Sequence, residues 1–166
     1  MRYWLGVLLA AGFAPGASAQ GLVTKDLSGL GRSAAAAIGP GFEVKEARER
    51  LTLACMTCSG EPIVDMLIGR QTDGTEERVR LGVASIADLQ RLCRVRSPSC
   101  TVSTLAVEPA VGWVSGYPLG DRAGATAVII RDGDLLTIRS LASNPTAARR
   151  AIDQLLPLVR TRIVGR

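Results

Sequence analysis

The sequence predicts an α+β domain, an antiparallel β-sheet with two helices packed on one face. Three observations carry this. Short runs of alternating apolar residues recur between turn signals such as Asp132-Gly133. Near the C-terminus apolar residues repeat at helical spacing instead: Ala148, Ile152, Leu155, Leu156, Val159 and Ile163. The strand-like runs follow one another in pairs rather than alternating with helices, which favours antiparallel pairing.

Met1-Arg2 is a minimal positive start, and Tyr3 to Phe13 is apolar apart from Gly6 and Gly12. Ala17-Ser18-Ala19 fits the small-x-small cleavage rule. Residues 1–19 therefore read as a secretory signal peptide, with Gln20 as the first mature residue. The apolar run is too short to span a bilayer, and no later stretch replaces it, so no transmembrane anchor is expected. The leader is of bacterial length, which makes the periplasm the expected location. The net charge is +5, one unit of it from Arg2. There is no run of like charges and no interleaving of basic and aromatic residues, so no nucleic-acid partner is expected.

Residues 20–41 read as an N-terminal arm, flexible or partly helical through Ala34 to Ala37, and stopped by Gly39-Pro40-Gly41. Residues 42–166 read as the single domain. Leu51, Leu53 and Cys55 alternate with Thr52 and Ala54 as a first strand. Pro62 to Arg70 is a second, with Val64, Met66 and Ile68 on one face. Thr72-Asp73-Gly74-Thr75 signals a hairpin, and Arg78 to Leu81 a return strand. Ser85 with Asp88 forms a capping box ahead of Ile86, Leu89, Leu92 and Cys93, the apolar stripe of the first helix. That helix ends before Pro98. Thr101 to Val107 and Val111 to Tyr117 are strands, and Ala125 to Arg131 pairs with Asp134 to Leu141 around Asp132-Gly133. Ser143-Asn144-Pro145 opens the last helix, with Pro157 inside it and a kink or early break expected there. The order of elements is similar to that of the Mog1/PsbP-like folds, a resemblance of layout that no motif carries.

The chemistry is narrow. There is no histidine, which removes Ser-His-Asp and Cys-His catalysis and histidine ligation of metals. Only Lys25 and Lys45 are lysine, and no glycine pattern fits a phosphate loop or a dinucleotide fingerprint. The carboxylates Glu61, Asp65 and Asp121 are scattered. No cofactor and no metal site is implied, and the spacing of the cysteines is not that of a zinc ribbon.

The four cysteines, Cys55, Cys58, Cys93 and Cys100, read first as disulfides, because an even count in an exported chain is the usual signature of bridges. Proximity favours Cys55–Cys58 and Cys93–Cys100. A crossed Cys55–Cys93 pairing would close a longer loop and stabilise more, about 4 kcal/mol against about 2 to 2.5 for a local one. Cys55-Met56-Thr57-Cys58 also has the spacing of a thiol–disulfide redox pair, although Ser59-Gly60-Glu61-Pro62 makes a poor helix start. A possible ligand or partner face is Trp113, Ser115 and Tyr117, which share one side of a strand between Gly112 and Gly116. The competing reading packs Trp113 and Tyr117 beneath a helix. The function expected is a non-enzymatic, disulfide-stapled domain that binds a protein or small-molecule ligand or serves an accessory role. The alternative is a redox protein using Cys55 and Cys58.

Overall fold

The computed structural model describes residues 21–166. The expected signal peptide and its cleavage before Gln20 lie outside the described residues. The fold is α+β. Its strands are β1 (Glu43–Glu46), β2 (Arg50–Ala54), β3 (Ile63–Arg70), β4 (Thr101–Thr104), β5 (Val111–Leu119), β6 (Arg122–Arg131) and β7 (Asp134–Ala142). They form one 7-stranded sheet in the order β1-β2-β3-β7-β6-β5-β4, antiparallel throughout. The helices are α1 (Gly31–Ile38), α2 (Thr75–Arg80), α3 (Ile86–Arg96) and α4 (Pro145–Leu158), which runs on into a π-turn, Val159–Val164.

Alternation sets the two faces of the sheet. Leu51 and Leu53 stand opposite Met66 and Val64, which stand opposite Ile138 and Ser140. The same rows continue through Ala127 and Ala125 to Val114 and Gly116. Helices α1 and α4 cover this face, and Ala34, Ile38, Ala148, Ile152 and Leu155 bury themselves against it. Leu51, Leu53, Met66 and Ile138 are fully buried. Each such side chain contributes roughly 1.5–3 kcal/mol relative to exposure.

Several elements form for local reasons. At the β6–β7 hairpin, Asp132 and Gly133 both take positive φ, 51° and 79°, which suits the twist of a two-residue turn. Asn144 caps α4 by accepting from the Ala147 N–H at 2.9 Å, with Pro145 at the first helical position. Pro157 does not stop the chain from turning. The α-helix ends one residue later and widens into the π-turn, where the Thr161 hydroxyl donates to the Pro157 carbonyl at 2.9 Å.

Three expectations need correction. The return strand over Arg78 to Leu81 is instead helix α2, with Gly74 as its N-cap. Glu76 and Glu77 lie in its first turn and Arg78 and Arg80 in its last, the order that complements the helix dipole. Glu76 and Arg80 pair at 2.7 Å across one turn, and Glu76 also accepts from the Gly133 N–H at 3.0 Å. Burial pushes the Glu76 carboxyl up, but these hydrogen bonds outweigh it and hold the group below its ordinary range.

The second correction concerns α3. Its capping box is present, with Ser85 and Asp88 bonded reciprocally. Its apolar stripe does not pack on the covered face: Leu92 is 66% exposed and no residue of α3 is buried. The helix lies along the outer edge of β4. There the Gln90 amide donates to the Cys100 carbonyl at 2.5 Å and accepts from the Val102 N–H at 2.7 Å. One side chain thus occupies edge groups that a further strand would otherwise take.

The third correction is the arm. Leu22, Leu27, Ala34 and Ile38 belong to the core, so residues 21–41 are built into the domain. The Val23 N–H donates to the Ile163 carbonyl at 2.9 Å. The buried Asp134 accepts from the Leu22 N–H at 3.1 Å and pairs with Lys25 at 2.6 Å and Arg70 at 3.2 Å.

Candidate functional site

Beyond the reach of α4, the covered face carries small residues. Val114 and Gly116 of β5 and Ala123 and Ala125 of β6 form the floor of a cavity of about 600 Å³. Register requires this grouping, because Gly116 stands opposite Ala125 and Val114 opposite Ala127. Thr101 and Ser103 of β4 stand opposite Gly116 and Val114, so their hydroxyls make one wall. The start of α4, with Pro145 and Arg149, makes the other, and the β5–β6 turn with Asp121 and Arg122 closes one end. The volume lies within the roughly 300–1,000 Å³ usual for small-molecule sites.

Two arginines reach this cavity from different elements. Arg149 of α4 is held by Asp153, whose carboxylate oxygens accept from its Nε at 2.8 and 3.0 Å. Its Nη1 donates to the Ser103 hydroxyl at 3.1 Å, bridging α4 and the edge strand. Arg122 opens β6. Its Nη2 donates to the Glu61 carbonyl at 2.8 Å, and its Nη1 lies 3.6 Å from the Glu61 carboxylate. Its Nε is buried and has no hydrogen-bond partner among the described residues. A buried donor left unpaired costs about 1–3 kcal/mol, so the arrangement is incomplete as it stands.

One of the two disulfides adjoins this cavity directly. Cys93 is bonded to Cys100, with Cα atoms 5.7 Å apart, which ties α3 to the start of β4 between the lining residues Ser99 and Thr101. Cys55 is bonded to Cys58, with Cα atoms 5.4 Å apart. The turn that follows places Gly60 against the start of α4, where its carbonyl accepts from the Ser143 N–H at 2.8 Å, and it places Glu61 against Arg122. Cys55 is buried and Cys58 half-buried. The chain after Cys58 turns directly into β3, so no helix follows this pair.

The face singled out from the sequence lies on the other side of the sheet. Trp113, Ser115 and Tyr117 do share one face, but it is the face opposite α1 and α4. Trp113 is half-buried and outside the main core, so it does not pack beneath α1 or α4. Tyr117 lies over Gly124, where a Cβ would meet its ring at 2.4 Å, and its hydroxyl bonds that of Thr126 at 2.9 Å. Ser115 donates to the Thr126 carbonyl at 3.3 Å. Ser115 and Tyr117 also border the cavity, whereas Trp113 does not. Of the scattered carboxylates, Asp65 is taken by a two-pronged pair with Arg50, at 3.0 and 2.9 Å from Nη2, on the open face. Among the described residues no group of three or more His, Cys, Asp and Glu is placed to hold a metal.

Arg122, Arg149 and the small floor escaped the sequence reading. Alanine and glycine in strands look alike whether a helix packs on them or nothing does. The nearest signal was the pairing of Gly112 with Gly116. In the structure Gly112 is filled, since a Cβ there would meet Val107 at 2.7 Å, while at Gly116 it would meet only the Thr101 hydroxyl, at 3.2 Å.

No protein-family model matches the chain, and no curated protein matches it.

Proposed function

We propose that this chain is an exported, non-enzymatic binding domain of the periplasm, and that its ligand site is the cavity between β4, β5, β6 and the start of α4. The observation that carries the reading is the cavity itself. Small side chains on two paired strands leave about 600 Å³ unfilled in a sheet face that is otherwise tightly packed. Interiors are normally close-packed, and a hollow of this size bordered by a few polar groups is the usual form of a small-molecule site. The leader-like residues 1–19 and the two disulfides support export, since bridges persist in oxidising compartments. Among the described residues no helix is long and apolar enough to cross a membrane.

The test uses 1-anilinonaphthalene-8-sulfonate, whose emission rises in apolar sites, with residues 20–166 produced under oxidising conditions. Binding should be saturable in the parent and lost in Ala125→Phe, which fills the floor, with the fold retained by circular dichroism. The exposed apolar residues Leu92 and Val95 on α3 provide the control. If the dye survives Ala125→Phe and is lost in the Leu92→Ser/Val95→Ser double variant, the cavity is not the site.

A further inference from the structure

We infer that the cavity selects small amphipathic carboxylates, the carboxylate meeting Arg122 and Arg149 and the apolar body lying on the Val114–Gly116 and Ala123–Ala125 floor. This rests on the cavity being a binding site and names what it takes. Charge comes first. The charged residues lining the cavity are Arg122, Arg149 and a single carboxylate, Asp121, while the carboxylates paired with the two arginines, Glu61 and Asp153, stand outside the lining. Chemistry comes second. Arg122 and Arg149 both line the cavity, and Arg149, with Nε and Nη1 engaged, keeps Nη2 without an acceptor among the described residues. A charge-assisted bond from a guanidinium to a carboxylate is about twice as strong as a neutral one.

The guanidiniums are anchored before any ligand arrives. Asp153 and Ser103 hold Arg149, and the Glu61 carbonyl holds Arg122. Pre-positioned donors lose less freedom on binding, which raises selectivity for a matching anion. The floor explains why the anion carries an apolar body: Val114, Ala123 and Ala125 offer no polar side-chain atom. The site lacks the features of a phosphate cradle. No lysine lines it, and its two guanidiniums are each already paired, Arg122 with Glu61 and Arg149 with Asp153.

Isothermal titration calorimetry on residues 20–166 tests this with three probes below their micelle concentrations: octanoate, 1-octanol and octyl phosphate. Octanoate should bind at least about tenfold tighter than 1-octanol, a difference of about 1.4 kcal/mol. Arg149→Met and Arg122→Met should each reduce that preference towards unity and leave 1-octanol unchanged. Arg150→Met, exposed on the outer side of α4, should leave both unchanged. Arg149 is about half exposed, so its variant carries the test if Arg122→Met lowers the thermal midpoint. Equal affinity for octanoate and 1-octanol, both lost in Ala125→Phe, would overturn the carboxylate preference and leave the cavity as a site. Octyl phosphate binding tighter than octanoate would overturn the choice of anion. No binding of any probe would remove the site and this inference together.

Discussion

The face of the sheet beneath α1 and α4 has two halves that follow one alternation and reach opposite ends. Over β2, β3 and β7 the inward positions are Leu51, Leu53, Val64, Met66, Leu136 and Ile138, all fully buried. Over β5 and β6, at the end near the start of α4, they are Val114, Gly116, Ala123 and Ala125, which border a cavity while Val114, Ala123 and Ala125 are still buried. Backbone pairing is continuous across both halves. What differs is side-chain volume. Period-two alternation decides which residues face inward, and their size decides whether the inward space becomes core or vessel. Of the disulfides, Cys93–Cys100 adjoins lining residues of the hollow half, whereas Cys55–Cys58 lies between β2 and β3 of the filled half.

The largest expected effect lies in the filled half. Ile138→Ala removes a fully buried side chain and should lower unfolding free energy by about 2–5 kcal/mol. Urea denaturation followed by circular dichroism measures it. Probe affinity at the cavity should be unchanged under folding conditions. A loss below about 1 kcal/mol would mean that this half is not tightly packed.

A sharper contrast comes from one substitution placed on either side of the boundary. Ala127 and Ala125 are two residues apart on β6, and both point to the covered face. Ala127→Phe enters filled space and should destabilise by about 1–3 kcal/mol or more. Ala125→Phe, at a buried residue that borders the cavity, should destabilise less than Ala127→Phe while abolishing probe binding. Equal thermal shifts for the two would break the distinction.

The smallest effect belongs to α3, outside both halves. The Ser85 hydroxyl, then the Ser85 N–H and Arg91, hold the Asp88 carboxyl down at about 2, from an ordinary 3.8. Because the folded value is the lower one, the cap's contribution is complete above the ordinary value. It is lost as pH falls through about 2. Amide resonances of Ile86 to Leu89 should shift over that window while those of β3 and β7 stay constant. Asp88→Asn should remove the response, and a simultaneous shift in the core strands would show that α3 is coupled to them.

Legibility in the sequence tracked distance along the chain. Asp132-Gly133, the Ser85–Asp88 box and Asn144-Pro145 act through bonds spanning three residues or fewer, and each element they signal is present. The stretch from Arg78 to Leu81 misled because Val79 and Leu81 alternate like a strand. Its helix depends on Glu76, which pairs with Arg80 four residues on and reaches Gly133 across 57 positions. Residues 21–41 looked like an arm because Leu22 and Leu27 stand alone in sequence. Their segment is held by distant partners: the Leu22 N–H meets Asp134, the Val23 N–H the π-turn and the Leu27 N–H the Arg48 carbonyl.

By itself, then, the sequence determined the α+β class, most strands, both capped helices and a chemistry without histidine. Those properties follow from local backbone preference and from residue types. Tertiary structure alone decided that Gly116, Ala123 and Ala125 border a cavity, that Arg122 and Arg149 line it too, and that Trp113 faces the other way. An alanine carries no mark of what lies above it. Whether it is covered depends on where α4 ends over the sheet, and strand register joins that endpoint to β5 and β6 across segments far apart in the chain.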